Sequence, residues 1–101
     1  MRSNATLTSY DSSSNNNLFY AGTPSATCRI YSDGTNTDQT LAAYKTRVFP
    51  RDSSSISEMA PFVNASSAPF DLHLDTALPT RCESCGRAVA GVTDDYDGEA
   101  R

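Results

Sequence analysis

The sequence predicts a mainly β fold with one short helix and long polar loops. Three observations carry that expectation. Short strand-like pieces recur roughly every 10 residues with turn residues between them, as in all-β proteins. Leu, Ile, Val and Phe total only 16 residues, while Ser, Thr and Asn number 14, 11 and 6. These small polar side chains suit turns and exposed strand faces, where they bond to nearby backbone. A single segment has helical periodicity. So few large apolar residues would signal disorder if the net charge were also high, but that charge is only −4.

Residues 1–17 are almost wholly polar, centred on Ser12-Ser13-Ser14-Asn15-Asn16-Asn17, and read as a poorly ordered loop or linker. Residues 18–101 are expected to form the folded part. Leu18-Phe19-Tyr20 offers a short strand, stopped by Ala21-Gly22-Thr23-Pro24. From Thr27 to Tyr31, Cys28 and Ile30 alternate with Arg29 and Tyr31, the period-2 pattern of a half-buried strand. Ser32-Asp33-Gly34 turns the chain.

Asp38 to Val48 reads as the helix. Thr37 or Asp38 can cap its free N–H groups, and Leu41, Tyr44 and Val48 form one apolar stripe. Lys45 and Arg47 fall in the last turn, near the negative end of the helix dipole, and Pro50 stops the helix. A serine-rich connection leads to a very short Phe62-Val63 strand. Leu72 and Leu74 alternate with Asp71 and His73 in another strand, and Ala88 to Val92 reads as a last buried strand of small residues.

Charge excludes some functions. A pI near 4.6 and eight scattered basic residues give no clustered cationic face for phosphates, which argues against nucleic acid. No apolar stretch approaches the ~20 residues of a membrane span. The first residues lack the apolar core of a signal peptide. That sits against an extracellular type of composition, and the simplest expectation is that the chain is a piece of something longer.

One resemblance covers about 85 residues. Asn17-Leu18-Phe19-Tyr20-Ala21-Gly22-Thr23-Pro24 comes first, then Asp33-Gly34-Thr35 and Thr40-Leu41-Ala42-Ala43-Tyr44. Pro50-Arg51-Asp52, Pro61-Phe62-Val63-Asn64 and Asp71-Leu72-His73-Leu74 follow, and Asp95-Tyr96-Asp97-Gly98 with Arg101 closes the series. In this order they resemble the C-terminal part of Bacteroidetes-type secreted surface proteins with right-handed parallel β-helix repeats. The resemblance implies the last coil or coils of such a β-helix, located outside the cell or at its surface. The family pattern usually continues into a Pro-Asp-Ile-Gly-Ala-type ending, which is not seen here. A lone terminal coil cannot bury its own interior, so the expected partners are the rest of the parent β-helix or a second copy across the open edge.

Few residues offer chemistry. Asp94, Asp95 and Asp97 beside Gly98 can hold Ca²⁺, or form a tight turn in which Gly98 takes a positive φ and Arg101 pairs with an acid. Cys82-Glu83-Ser84-Cys85 is a C-x-x-C motif, with Cys28 as an odd thiol. A disulfide from Cys28 to Cys82 or Cys85, unpaired thiols, and a zinc or redox site are the readings. Zinc would need Cys28 and His73 as further ligands, and neither shows partner spacing. His73, the single histidine, should point outward from its strand. Asn4-Ala5-Thr6 and Asn64-Ala65-Ser66 match the glycosylation sequon, a pattern common by chance.

With no nucleophile motif beside a histidine, no catalytic triad can be assembled, and no cofactor is implied. The expected function is therefore a non-catalytic structural or interaction segment of an extracellular β-helix protein, with adhesion or polysaccharide contact as its role. The alternatives are a fragment of a β-helix polysaccharide lyase or hydrolase, and a small cysteine-based metal-binding module.

Overall fold

A computed structural model describes residues 5–82, 86–94, 97–98 and 100. Two small antiparallel sheets and one helix make up its regular structure. Strands β1 (Tyr31–Ser32) and β2 (Thr37–Asp38) pair Tyr31 with Asp38 and Ser32 with Thr37. Helix α1 spans Leu41–Val48. Strands β3 (Phe62–Asn64) and β4 (Asp71–Leu74) pair Phe62 with Leu74 and Asn64 with Asp71, with a register irregularity between these pairs.

The parallel β-helix expectation is overturned. Within each sheet the two strands are joined by a connection far shorter than the dozen or more residues that a parallel crossover needs, so each pair must turn back on itself. Among the described residues, parallel pairing occurs only as the Leu18–Ile56 bridge. Composition signals for β structure and turns do not distinguish a coil of a solenoid from a hairpin.

The first hairpin shows why it turns. Asp33 is buried, and its Oδ1 accepts from the amides of Thr35 and Asn36 at 2.9 and 2.7 Å. Its Oδ2 accepts from the Tyr31 hydroxyl at 2.9 Å. The next residue, Gly34, sits at φ +92, a conformation that side chains with a Cβ resist. The Asn36 amide and side chain lead the donors that hold the Asp33 carboxyl far below the usual carboxylate range.

The helix starts later than expected, and Thr40 caps it instead of Thr37 or Asp38. Thr40 has extended backbone and its Oγ1 accepts from Ala43 N at 3.3 Å. Asp38 is occupied elsewhere, in β2, where Arg47 grips it with Nε–Oδ2 at 2.5 Å and a second bond to Oδ1 at 2.8 Å. Such a two-pronged arginine–carboxylate pair is strong and directional. The predicted stripe holds: Tyr44 and Val48 are buried and Leu41 packs beside them.

The core is built from Tyr31, Tyr44 and Val48, with Leu7, Tyr10, Phe19, Ile30 and Leu41 against it. The Tyr44 ring meets Phe19 edge-on at 5.1 Å between centroids and Tyr31 at 5.6 Å. The Thr27–Tyr31 alternation holds through Ile30, with Arg29 exposed, and breaks at Tyr31. Tyr31 is the buried member, because its hydroxyl finds Asp33, while Cys28 and Ile30 are half-buried. Ala88 to Val92 is not a buried strand either. Val89 and Val92 are exposed around a turn closed by Val92 N to Val89 O at 3.1 Å.

Beneath the core lies a polar hub. Asp52 is fully buried at φ +53. Its Oδ1 accepts from Asn17 Nδ2 and Ser55 Oγ, each at 2.7 Å. Its Oδ2 faces the hydroxyls of Tyr10 and Tyr44, the latter at 2.8 Å, and the two hydroxyls lie 2.7 Å apart. Two hydroxyl protons thus serve three oxygen–oxygen contacts. Burial pushes the Asp52 carboxyl up, but Tyr10, Asn17, Ser55 and Tyr44 together outweigh it and hold the group below its ordinary value. Burial first, then its own hydrogen bonds with Tyr10 and Asp52, pushes the Tyr44 phenol well above its ordinary value.

Candidate functional site

The ladder around residue 56 creates the most distinctive surface. Ile56 N donates to Asn17 O, and Phe19 N donates to Ile56 O, each at 2.9 Å. This puts residues 17–20 in extended register beside residue 56. Side chains alternate along such a segment, so with Phe19 packed against the core, Leu18 and Tyr20 face outward. Ala60 is buried, and the chain then runs through Pro61 into β3.

Between these two stretches runs an open groove of about 700 Å³. Its walls include Leu18, Tyr20, Met59, Pro61, Phe62 and Val63, and the lining continues into Asn64, Ala65 and Ser66. Tyr20, Met59 and Val63 are more than half exposed, at 54%, 72% and 57%. Apolar side chains scattered singly over a surface are ordinary, but a contiguous set lining a concavity is not. The groove volume also falls in the range of ligand pockets, ~300–1,000 Å³.

Glu58 is the one charged lining residue of this groove among those described. Its Oε1 accepts from the Thr80 hydroxyl, from the amides of Arg81 and Cys82 at 3.0 and 3.3 Å, and from the Cys82 thiol at 3.2 Å. Led by Thr80 and the Cys82 thiol, these donors hold its carboxyl below the ordinary range. The groove therefore carries one fixed negative charge at neutral pH. Asn64 is spent on shaping the turn after β3: its Nδ2 donates to the carbonyls of Ser67 and Pro69, both at 2.9 Å.

The residues singled out from the sequence fall elsewhere. Cys28 and Cys82 are half-buried free thiols, so the Cys28–Cys82 disulfide is not formed. Cys85 lies outside the described residues, as do Asp95 and Arg101. Asp97 Oδ2 meets His73 Nε2 at 3.1 Å, whereas Asp94 pairs through its backbone with Ala100. Gly98 takes the expected positive φ, at +80. Among the described residues, no three His, Cys, Asp or Glu side chains gather to hold a metal ion. Of the sequons, Asn4 is outside the described residues and Asn64 lines the groove.

His73 points outward as expected but is not solvated on both sides. Its Nδ1 lies 2.6 Å from Asp71 Oδ1 and its Nε2 faces Asp97. Asp71 and then Asp97 raise the imidazole above its ordinary value. Sequence reasoning missed the groove because its walls come from two stretches some 40 positions apart, linked by two backbone bonds. A usable signal was present: Leu18, Tyr20, Met59, Phe62 and Val63 are large apolar residues in a chain with few of them.

Among the described residues no helix is long and apolar enough to cross a membrane. No protein-family model, characterised protein or solved structure matches the chain.

Proposed function

We propose that this chain is a non-catalytic interaction segment, and that its binding face is the groove between residues 18–20 and β3. The apolar lining carries the proposal, since a contiguous exposed apolar concavity is the usual mark of a partner's footprint. The occupant that fits is an extended polypeptide stretch with large apolar side chains and a Lys or Arg to meet Glu58. An open groove beside a free strand edge suits an extended chain, and the cationic residue follows from charge complementarity. The non-catalytic part is supported by His73, whose two ring nitrogens both face carboxylates rather than a nucleophile. Placement outside the cell or at its surface rests on the Ser-, Thr- and Asn-rich composition.

Selection from a random displayed-peptide library tests this reading. The expected winners are apolar peptides with one basic residue, which lose at least tenfold in affinity on Val63→Asp or Met59→Asp. Both side chains are exposed, so the fold should survive these changes. Selected peptides indifferent to both substitutions, or no selection at all, would sink the proposal. Binding on a glycan array in place of peptides would replace it with carbohydrate contact through Tyr20 and Phe62. A concentration-dependent dimer abolished by Val63→Asp would name a second copy as the partner.

A further inference from the structure

We propose that His73 is a protonation-dependent clasp that ties Asp97 and its neighbour Gly98 to the β3–β4 hairpin. The argument is one of donors and acceptors. A neutral imidazole carries one N–H and can donate from one nitrogen only, whereas the imidazolium donates from both. Here both nitrogens meet carboxylate oxygens, which are acceptors when ionised: Asp71 Oδ1 at 2.6 Å and Asp97 Oδ2 at 3.1 Å. The arrangement is satisfied only when the ring is protonated.

The two bonds differ in what they do. Asp71 lies two residues before His73 on the same strand, and it also accepts the His73 amide at 3.0 Å. It orients the ring without joining anything distant. Asp97 is 24 positions away, so the second bond joins the hairpin to a distant point of the chain. Around them is a cleft of about 600 Å³ walled by Pro69, Phe70 and Leu72. Among the described residues, Asp71 from its own strand and Asp97 are the charged groups that line this cleft with His73.

The direction of the pH dependence follows. The folded imidazole is raised above 6.5, so whatever the clasp contributes is fully present below that value and is lost as pH rises through the higher folded value. Loss of the ring proton frees Nε2 from Asp97 first, because the shorter bond to Asp71 can keep the remaining proton. Both partners are well exposed, so the effect is local and salt-sensitive.

His73 is the single histidine, so its ring proton resonances are read without assignment ambiguity. In a titration by proton NMR, the midpoint should lie above 6.5 and fall by on the order of half a pH unit in Asp97→Asn. The amide of Gly98 should shift with the same midpoint in the parent chain and lose that dependence in the variant. An unchanged midpoint in Asp97→Asn overturns the clasp. So does a Gly98 amide that ignores the titration of His73. Raising the salt on the unaltered protein provides a check free of substitution: the midpoint should drop, and one that stays put also overturns the clasp.

Discussion

Replacing Asp52 by alanine should be the most damaging single change in this molecule. The carboxylate is fully buried and accepts from four side chains. Asn17 is exposed and Tyr10 half-buried, so both can turn to water or to other neighbours, and most of the cost falls on Ser55 and Tyr44, which are 2% and 5% exposed. Hydrogen bonds to a charged group contribute about 1.5–3 kcal/mol each. Alanine must also adopt the left-handed backbone that Asp52 occupies at φ +53, at a cost of about 1 kcal/mol. Relief of the buried charge offsets part of this loss, leaving about 3–5 kcal/mol, in line with orphaned buried networks elsewhere. Stabilities of small domains are about 5–15 kcal/mol, so much of the total would go.

Asparagine at the same position separates the causes. It tolerates the left-handed backbone, keeps one oxygen for Asn17 and Ser55, and offers its NH₂ to two hydroxyls that can accept. Asp52→Asn should therefore cost only about 1–2 kcal/mol. The assay is urea denaturation followed by tyrosine emission, which no tryptophan obscures in this chain, and by far-ultraviolet circular dichroism. A loss below about 1 kcal/mol for alanine, or equal losses for alanine and asparagine, would refute the hub as a source of stability.

Other expectations follow from single contacts. Arg47→Ala leaves the buried Asp38 without its two-pronged partner and should cost about 1–3 kcal/mol in the same assay, while Lys45→Ala, whose Nζ bonds to the Ser53 carbonyl at an exposed site, should cost far less. Thr40→Ala removes the helix cap and should lower stability by about 1 kcal/mol, with Asp38→Asn unable to mimic a cap loss because Asp38 does not cap. The carboxyls of Asp33 and Asp52 are both held below 3.8, so their contribution is intact above that value and drains away as pH falls through their folded values. Melting temperature should thus decline below pH 3.8; a rise there would contradict the sign. Peptide mapping under non-reducing conditions should find no Cys28–Cys82 crosslink.

Local features were legible in the sequence and assembly was not. The stripe of Leu41, Tyr44 and Val48 announced which helix face is buried, because periodicity depends only on neighbouring residues. The turn at Asp33-Gly34 was equally visible, since residue type decides backbone conformation there. Asp38 misled as a cap because its alternative partner, Arg47, is a choice of tertiary structure that no local pattern encodes. The solenoid expectation failed for a related reason: a strand's sequence does not state whether its neighbour runs parallel or antiparallel. The groove inherits the same blindness. Nor did the polar opening stretch hint that Tyr10 and Asn17 reach Asp52, because serine and asparagine read alike whether they meet water or a buried carboxylate.

That last connection has a practical consequence. Asp52 takes its amide partner from Ser14 and its side-chain partners from Tyr10 and Asn17, while Arg51 reaches back to the carbonyls of Tyr10 and Leu7. Trimming the chain back to Leu18 would leave every residue of the helix and both hairpins in place, yet strip the acid beneath the helix of half its side-chain donors. The damage from trimming this stretch should appear as lost cooperativity of unfolding throughout the molecule, rather than as a shorter but otherwise sound protein.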